Sequence, residues 1–521
     1  MGGGLLQLVA MGAQDAYLSG NPQITFWKGM FKRHTNFAME PFRINFTGQP
    51  SWGTKQSATI NRNADLLYST YLEVHLPHYD STRKKDACYN NDQFHLGYNL
   101  LKYAELEIGG QLIDRQYGEW MFLWDTLCGS TEKSLLAQQM LGAGGRPSYA
   151  ASSSPPGSTG FIDVTDFAGA GSATSPGSST TDGALSTASV GQVLLPGVPA
   201  GCSNTGQNQN QAGHPTILYV PLNFFYCRNP GAALPLIALQ YHEVKINIMW
   251  NDNQLITGDY KHVPTPAQPS QVAIYVDYIY LDVDERRRMA QESHEYLIEQ
   301  VQYNEDKGLS SYQNRIDLTF NHPVKELVWV VQPTCYRSCK VPIPGQSGGP
   351  DNRVGVRFAG GAKGVNTTGS NVNRLTPFTY DQNAVFKQHL QINGQDRLDA
   401  RYGDYFNKVQ PYQHHTGITQ TEYIKYDPST ASGLTTYSGG TSALLQQSGI
   451  YCYSFALKPE EHQPSGTCNF SRIDTATLVL QMSGDVEVNQ QKDATWDVRV
   501  YALNYNILRI MSGMAGLAYS N

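Results

Sequence analysis

The side chains best suited to chemistry lie in four places. His414 and His415 are adjacent, His242 precedes Glu243, Glu460, Glu461 and His462 fall in the run KPEEHQPSGT (Lys458–Thr467), and Cys335 and Cys339 stand four residues apart. Each group suits metal binding or acid–base work only at a particular spacing. A zincin helix needs two His four residues apart, and His462 has no such partner. A structural zinc site needs a second Cys pair or a His cluster at short range, which Cys335-x-x-x-Cys339 lacks. Neighbours on a strand point to opposite faces. The pairs His414/His415 and His242/Glu243 are therefore expected to split, the first as a plain surface pair. Glu460 to His462 is expected to form a turn that hydrogen-bonds to backbone, and Cys335 and Cys339 to stay free thiols. No nucleophile elbow is expected, since the one Gly-x-Ser-x-Gly run (Gly345–Gly349) falls in the Gly/Asn-rich loop at 341–375, and the chain has no phosphate-binding loop. Gly109-Gly110 and the Gly142–Gly145 cluster lack the strand–helix setting of a nucleotide site. The expectation is therefore no catalytic, no cofactor-binding and no metal residues, no cofactor, and no enzymatic activity.

The elements that hold these residues read as strands. In Tyr71–Pro77, Leu72, Val74 and Leu76 share one face. The same period of two recurs at Val244, Ile246 and Ile248, at Ala476, Leu478, Leu480 and Met482, and at Trp496, Val498, Val500 and Ala502. Such alternation marks strands with one buried face. Gln271–Leu281 is apolar on both faces apart from Asp277, which predicts a central strand. Helical patterning is sparse. Glu119–Cys128 sets Trp120, Met121, Trp124, Leu127 and Cys128 along one stripe, and Asp284–Gln300 reads as a mixed linker.

Composition agrees. Only 16% of the 521 residues are charged, against about a quarter in a typical soluble protein. Gly (49), Pro (27) and Tyr (32) are plentiful, which suits turns and pleated surfaces. The 38 basic and 44 acidic residues give a net charge of −6, a poor match for a protein that coats nucleic acid by neutralising phosphates. The one dense basic run, Arg286–Arg288, follows Asp282, Asp284 and Glu285, so a solvated or salt-bridged segment is expected. Eight cysteines say little in so long a chain, and free thiols in a reducing cytoplasm are the simpler reading. No apolar run reaches the roughly 18–20 residues of a membrane-spanning helix. The start lacks the basic region of a signal peptide, and Leu6 breaks the myristoylation pattern after Gly2. Of the sequons at Asn45, Asn366 and Asn469, the first and last are expected to be buried in strands and Asn366 to lie in an exposed loop. Residues 142–213, rich in Gly, Ser, Ala, Thr and Pro, cannot bury enough surface to offset their ordering entropy. They read as a long exposed loop, with a shorter one at 341–375.

An internal repeat organises the chain. Glu105–Trp120 (ELEIGGQLIDRQYGEW) resembles His389–Tyr405 (HLQINGQDRLDARYGDY). In each, a strand enters a Gly-containing turn, returns, and meets Tyr-Gly before an acidic helix start. Leu218–Leu222 followed by Pro235–Ile248 parallels Tyr453–Leu457 followed by Asn469–Met482, and each half ends in a long apolar strand, Val272–Leu281 and Val498–Leu508. The chain thus reads as two copies of one all-β unit. About eight strands per unit without alternating helices fit a jelly roll.

Longer stretches resemble the major capsid proteins of nucleocytoplasmic large DNA viruses, the group that includes algal viruses, iridoviruses and the giant viruses. They are Gly3–Lys28, Pro41–Gly48 (PFRINFTG), Phe225–Ile246 (FYCRNPGAALPLIALQYHEVKI), Leu457–Asp474 (LKPEEHQPSGTCNFSRID) and Val500–Asn521. Five matches in order cover nearly the whole chain. The resemblance implies an all-β fold of two tandem eight-stranded jelly-roll β-sandwiches, with a few short helices and long surface loops. On that pattern residues 1–40 form an N-terminal segment at the capsid base, 41–283 the first jelly roll with the 142–213 loop facing outward, 284–306 a linker, and 307–521 the second jelly roll. The implied role is a structural subunit that forms homotrimers. These are pseudo-hexagonal capsomers that tile an icosahedral virion shell, assembled in the host cytoplasm. The implied partners are the chain itself, neighbouring capsomers, and minor capsid and penton proteins, near an internal viral membrane and without direct nucleic-acid contact. A carbohydrate-binding jelly roll would want aromatic and acidic groups clustered in loops, and a cupin enzyme would want His and Glu at metal spacing. Neither explains the duplication.

Overall fold

The structure is a computed structural model. It describes residues 33–76, 96–129, 216–251, 268–333, 385–417, 450–482 and 496–519, together with residues 3, 12–22, 26, 136–137 and 140–141. The expected loops at 142–213 and 341–375, the Cys335/Cys339 pair and Asn366 lie outside the described residues.

The first half holds β1 (Phe37–Asn45), β2 (Lys55–Ile60), β3 (Leu66–Leu76), β4 (Leu101–Ile108), β5 (Gln111–Tyr117), helix α1 (Gly118–Cys128), β6 (Thr216–Pro221), the short β7 (Leu234–Pro235), β8 (Val244–Trp250) and β9 (Gln271–Leu281). They form two antiparallel sheets. One runs β1-β9-β3-β6 with β7 beside β3, and the other runs β2-β8-β4-β5. The second half repeats this after helix α2 (Val283–Gln291). Its elements are β10 (His294–Leu309), β11 (Gln313–Asp317), β12 (Pro323–Pro333), β13 (Val385–Ile392), β14 (Gln395–Asp396), β15 (Arg401–Tyr402), helix α3 (Gln410–His414), β16 (Ile450–Ser454), β17 (Cys468–Asn469), β18 (Ala476–Met482), β19 (Trp496–Met511) and β20 (Met514–Leu517). One sheet runs β10-β19-β12-β16 with β17 on β12 and β20 on β19. The other runs β11-β18-β13-β14 with β15 on β13. The order is that of the first half, strand for strand, and the fold is two tandem jelly-roll sandwiches.

The repeat seen in the sequence has the expected backbone. Gly109 and Gly110 both have positive φ (59° and 84°), as do Asn393 and Gly394 (51° and 75°). Ile108 pairs with Gln111 and Ile392 with Gln395. Two central residues at positive φ are the signature of a type I′ hairpin, which is why Gly-Gly and Asn-Gly occupy these sites. Gly118 opens α1 because a Cβ there would sit 2.2–2.3 Å from the carbonyl oxygens of Leu101 and Tyr98.

Alternation placed the core correctly. Leu72, Val74, Leu106, Ile108, Ile246, Ile248, Ile274 and Val276 meet between the first pair of sheets. Leu327, Trp329, Val331, Leu478, Leu480, Val498 and Val500 meet between the second pair. β9 lies inside its sheet, paired with β1 and β3.

Three expectations need correction. Residues 284–306 are not a linker: α2 and most of the 16-residue β10 fill them, and β10 is paired with β19 from His294 to Leu309. Its polar residues Glu299 and Gln300 masked the strand, yet both are buried. β19 has two buried faces rather than one, since Arg499, Tyr501 and Leu503 are as covered as Val498 and Val500. Asn45 and Asn469 are exposed, and Asn469 Oδ1 accepts from the Ser471 amide. Arg286–Arg288 is salt-bridged as expected, though by other partners: Arg286 pairs with Asp65 and Arg288 with Glu292. Asp282 instead caps α2 through the Val283 amide.

Candidate functional site

The chemically dense region is the seam between the two halves, built around α1. Tyr-Gly-Glu-Trp starts this helix. Trp120, Leu123, Trp124 and Leu127 leave it on the side of the second half and pack with Val301, Val328, Val330, Ile450, Cys452, Tyr501 and Leu503. These last residues are the outward face of β10, β12, β16 and β19, which would otherwise meet water. Trp120 lies 5.6 Å from Trp124 and 5.5 Å from Tyr501, ring to ring.

Polar groups cross the seam at both ends of α1. At its first turn Glu119 accepts from Arg499 Nε (2.6 Å) and from the Tyr501 hydroxyl (2.6 Å). Arg499 is fully buried and also donates to Gln332 Oε1 (2.8 Å). At its last turn Leu127 O accepts from Gly417 N (2.7 Å) and Cys128 O from Thr416 Oγ1 (3.1 Å). Helix ends leave such carbonyls unpaired, so the second half completes a helix of the first. Between them, Glu299 receives Arg228 Nη1 (2.6 Å) and Lys325 Nζ, and Arg228 stands 4.5 Å from the Trp124 ring. Burial alone would raise the Glu299 carboxyl, but the two cations hold it below its ordinary value.

Asp114 is a different case. It accepts from Gln116 Nε2 (2.5 Å) and Val301 N (3.2 Å). Burial outweighs these donors and pushes its carboxyl up to about 6. An acid whose folded pKa exceeds its unfolded one, about 3.9, supports folding below that unfolded value, and the support is lost as pH rises through about 6. At pH 7 ionised Asp114 therefore costs up to about 3 kcal/mol. Asp114→Asn is expected to stabilise the chain at pH 7.5 and to gain little at pH 4.5. Gln116 Oε1 has no partner, so a turn of that amide accepts the new Asn amide. Guanidinium denaturation at the two pH values checks this, and an equal change at both would refute it.

The fourth cluster holds the residues that the sequence put on the surface. His415 is not on a strand. It follows α3, which starts at Gln410-Pro411, and Pro suits a first helical turn. The His415 side chain is fully buried while His414 is half-buried and meets Leu457 O through Nδ1 (3.1 Å). His415 Nε2 faces Glu326 Oε1 (2.5 Å) and Nδ1 faces Glu460 Oε1 (3.1 Å). Glu460 also accepts from Thr416 N and Oγ1 (2.8 Å each), so the expected turn with backbone bonds is present but carries a buried ring as well. The sulfurs of Cys128 and Cys452 each lie within 4.8 Å of a ring nitrogen of His415. Burial pushes Cys128 up to about 12 and Cys452 to about 11. Burial alone would lower His415, but Glu326 beside it holds the ring well above its ordinary value. His242 precedes β8 rather than lying in it. Its Nδ1 accepts from Ala515 N (3.1 Å), another contact between the halves.

Among the described residues, the chemistry of the seam is packing, hydrogen bonds and ion pairs that join the two halves. Among the described residues no helix is long and apolar enough to cross a membrane.

Comparison with known proteins matches both halves. Residues 25–282 match the family described as major capsid protein N-terminus, and residues 285–441 and 443–516 match the large eukaryotic DNA virus major capsid protein. The major capsid protein of Phaeocystis pouchetii virus is 40% identical, with all of each chain covered. The solved PBCV-1 virus capsid aligns with a TM-score of 0.62 at 31% identity, covering 95% of this chain and 100% of that one. The Faustovirus major capsid protein has the same fold, with a TM-score of 0.60 at 12% identity over 96% of this chain and 94% of that one.

Proposed function

This chain belongs to the major capsid protein family of large eukaryotic DNA viruses, and on that premise we propose that three copies associate into a pseudo-hexagonal capsomer that tiles an icosahedral shell. The observation that carries this is the duplication. Two sandwiches of identical strand order stand side by side in one chain, so a three-chain ring presents six similar units. Closed rings follow from a heterologous contact whose rotation closes. The seam makes the two units one block: Glu119–Arg499, Glu299 with Arg228 and Lys325, and the α1 aromatics tie them.

The same reading assigns the residues before β1 to the capsid base and residues 37–283 to the first jelly roll, because β1 begins at Phe37 and not after residue 40. The second jelly roll takes 307–521 together with β10, which supplies an edge of its sheet. The role is structural rather than enzymatic. Its partners are other copies, then minor capsid and penton proteins, with an internal membrane nearby, and assembly takes place in the host cytoplasm. The net charge of −6 argues against a direct grip on the genome.

The native mass of the purified chain tests this. Three times the 57.6 kDa chain mass is expected, with hexagonal outlines in negative stain. A stable monomer under every assembly condition would sink the proposal.

A further inference from the structure

We propose that Glu326, His415 and Cys452 form a buried zinc site on the seam-facing side of the second jelly roll. The sequence alone argued against any metal residue, because the ligands come from strand β12, the residue after α3, and strand β16. In the fold, a carboxylate oxygen of Glu326, a ring nitrogen of His415 and the Cys452 sulfur all lie within 4.8 Å of one another.

The strand register explains how two of them meet. Glu326 pairs with Ser454 and Val328 with Cys452, so Glu326 and Cys452 are diagonal neighbours two residues apart on one face. His415 is delivered over them from the end of α3.

Three further observations point to a metal rather than to an ion pair alone. Glu326 is fully covered, yet its Oε2 has no hydrogen-bond partner. A buried carboxylate oxygen left so carries a desolvation cost, and it is free to serve as the fourth ligand atom. His415 Nδ1 is held by Glu460 Oε1, itself fixed by Thr416 N and Oγ1. A carboxylate on one ring nitrogen sets the tautomer that leaves the other free to ligate, the usual outer support of a zinc-bound histidine. The donor set is one nitrogen, one sulfur and carboxylate oxygen. Thiolate and imidazole together select zinc over magnesium or calcium.

The exchange balances. A zinc ion enters, the Nε2 proton of His415 and the thiol proton of Cys452 leave, and two bonds to metal replace them. No electron moves, and the net charge of the cluster is unchanged. Because His415 and Glu326 are fully covered, the ion is taken up as the chain folds. Cys128 lies within 4.8 Å of His415 and Glu460 in a second group, but Glu460 is already held by Thr416 N and Oγ1, so Cys128 is left out of the proposed ligand set.

The full-length chain, expressed in zinc-supplemented medium and purified without chelator, is the material for the test. Elemental analysis should find one zinc per chain. Folding with cobalt instead should produce a thiolate-to-cobalt charge-transfer band in the near ultraviolet. Cys452→Ser should abolish that band, and Cys128→Ser should leave it intact. If Cys452→Ser does not fold, Glu326→Gln serves in its place and should weaken zinc binding by about tenfold or more. A folded chain with no zinc above background overturns the proposal. So does a cobalt band that survives Cys452→Ser, or unchanged zinc affinity in Glu326→Gln. Each of those results leaves His415 as a buried imidazolium between two glutamates.

Discussion

Replacing Glu119 by Ala is expected to cost about 3–5 kcal/mol of folding stability, among the largest effects of any single substitution in this chain. The reason is the partner left behind. Arg499 is fully buried in β19, and its Nη1 already lacks a hydrogen-bond partner. Glu119 supplies both carboxylate oxygens to its Nε and accepts from the Tyr501 hydroxyl. Without that carboxylate a guanidinium stays in a dry site with Gln332 Oε1 as its remaining acceptor among the described residues. The pair itself is worth far less than its loss suggests, because forming it required desolvating two charges. Glu119→Leu combined with Arg499→Met should therefore recover most of the lost stability. Urea or guanidinium titration of the two single variants and the double variant measures this. A double variant as unstable as Glu119→Ala would show that the Tyr501 bond or helix packing, not the stranded charge, carries the effect.

What the sequence disclosed follows a physical division. Contacts closed within a few residues were legible. Gly109-Gly110 and Asn393-Gly394 announce their turns because only residues tolerant of positive φ fit a type I′ hairpin. Leu72, Val74 and Leu76 announce a face because strand side chains alternate. Contacts that join distant segments were not. Glu119 and Arg499 are 380 residues apart, and nothing local to either says it is paired. The same distance hid β10: Glu299 and Gln300 look like solvent residues until Arg228, Lys325, Asn506 and the Ile113 carbonyl are brought to them. His415 departs from its strand expectation because Pro411 starts a short helix that ends just before it. Even the correct helix would not have revealed Glu326, Glu460, Cys128 and Cys452 around the ring. The family resemblance rested on whole segments and carried the fold as far as two jelly rolls, but it was silent on what joins them.

How tightly they are joined sets the second large effect, from Trp120→Ala. Trp120 is fully buried among Trp124, Tyr501 and the valines of β12, and removing so large a buried ring costs about 3–5 kcal/mol. Its indole N–H has no partner among the described residues, so no hydrogen bond is lost with the ring and the cost is one of packing. Two independent sandwiches sharing a weakened seam would then unfold in two steps. One step is expected instead, because the first core is not built from the first half alone. Ile298 of β10, Leu508 and Ile510 of β19 and Ala515 of β20 are buried within it. β19 thus feeds the second core with Val498 and Val500, the seam with Tyr501 and Leu503, and the first core with its last residues. Unfolding the second sandwich strips apolar cover from the first, at roughly 1.5–3 kcal/mol for each large aliphatic side chain exposed. Calorimetry of Trp120→Ala should therefore show a single transition at lower temperature. Two resolved transitions would mean that the shared strand does not couple the cores, and that the seam around α1 was all that held the halves together.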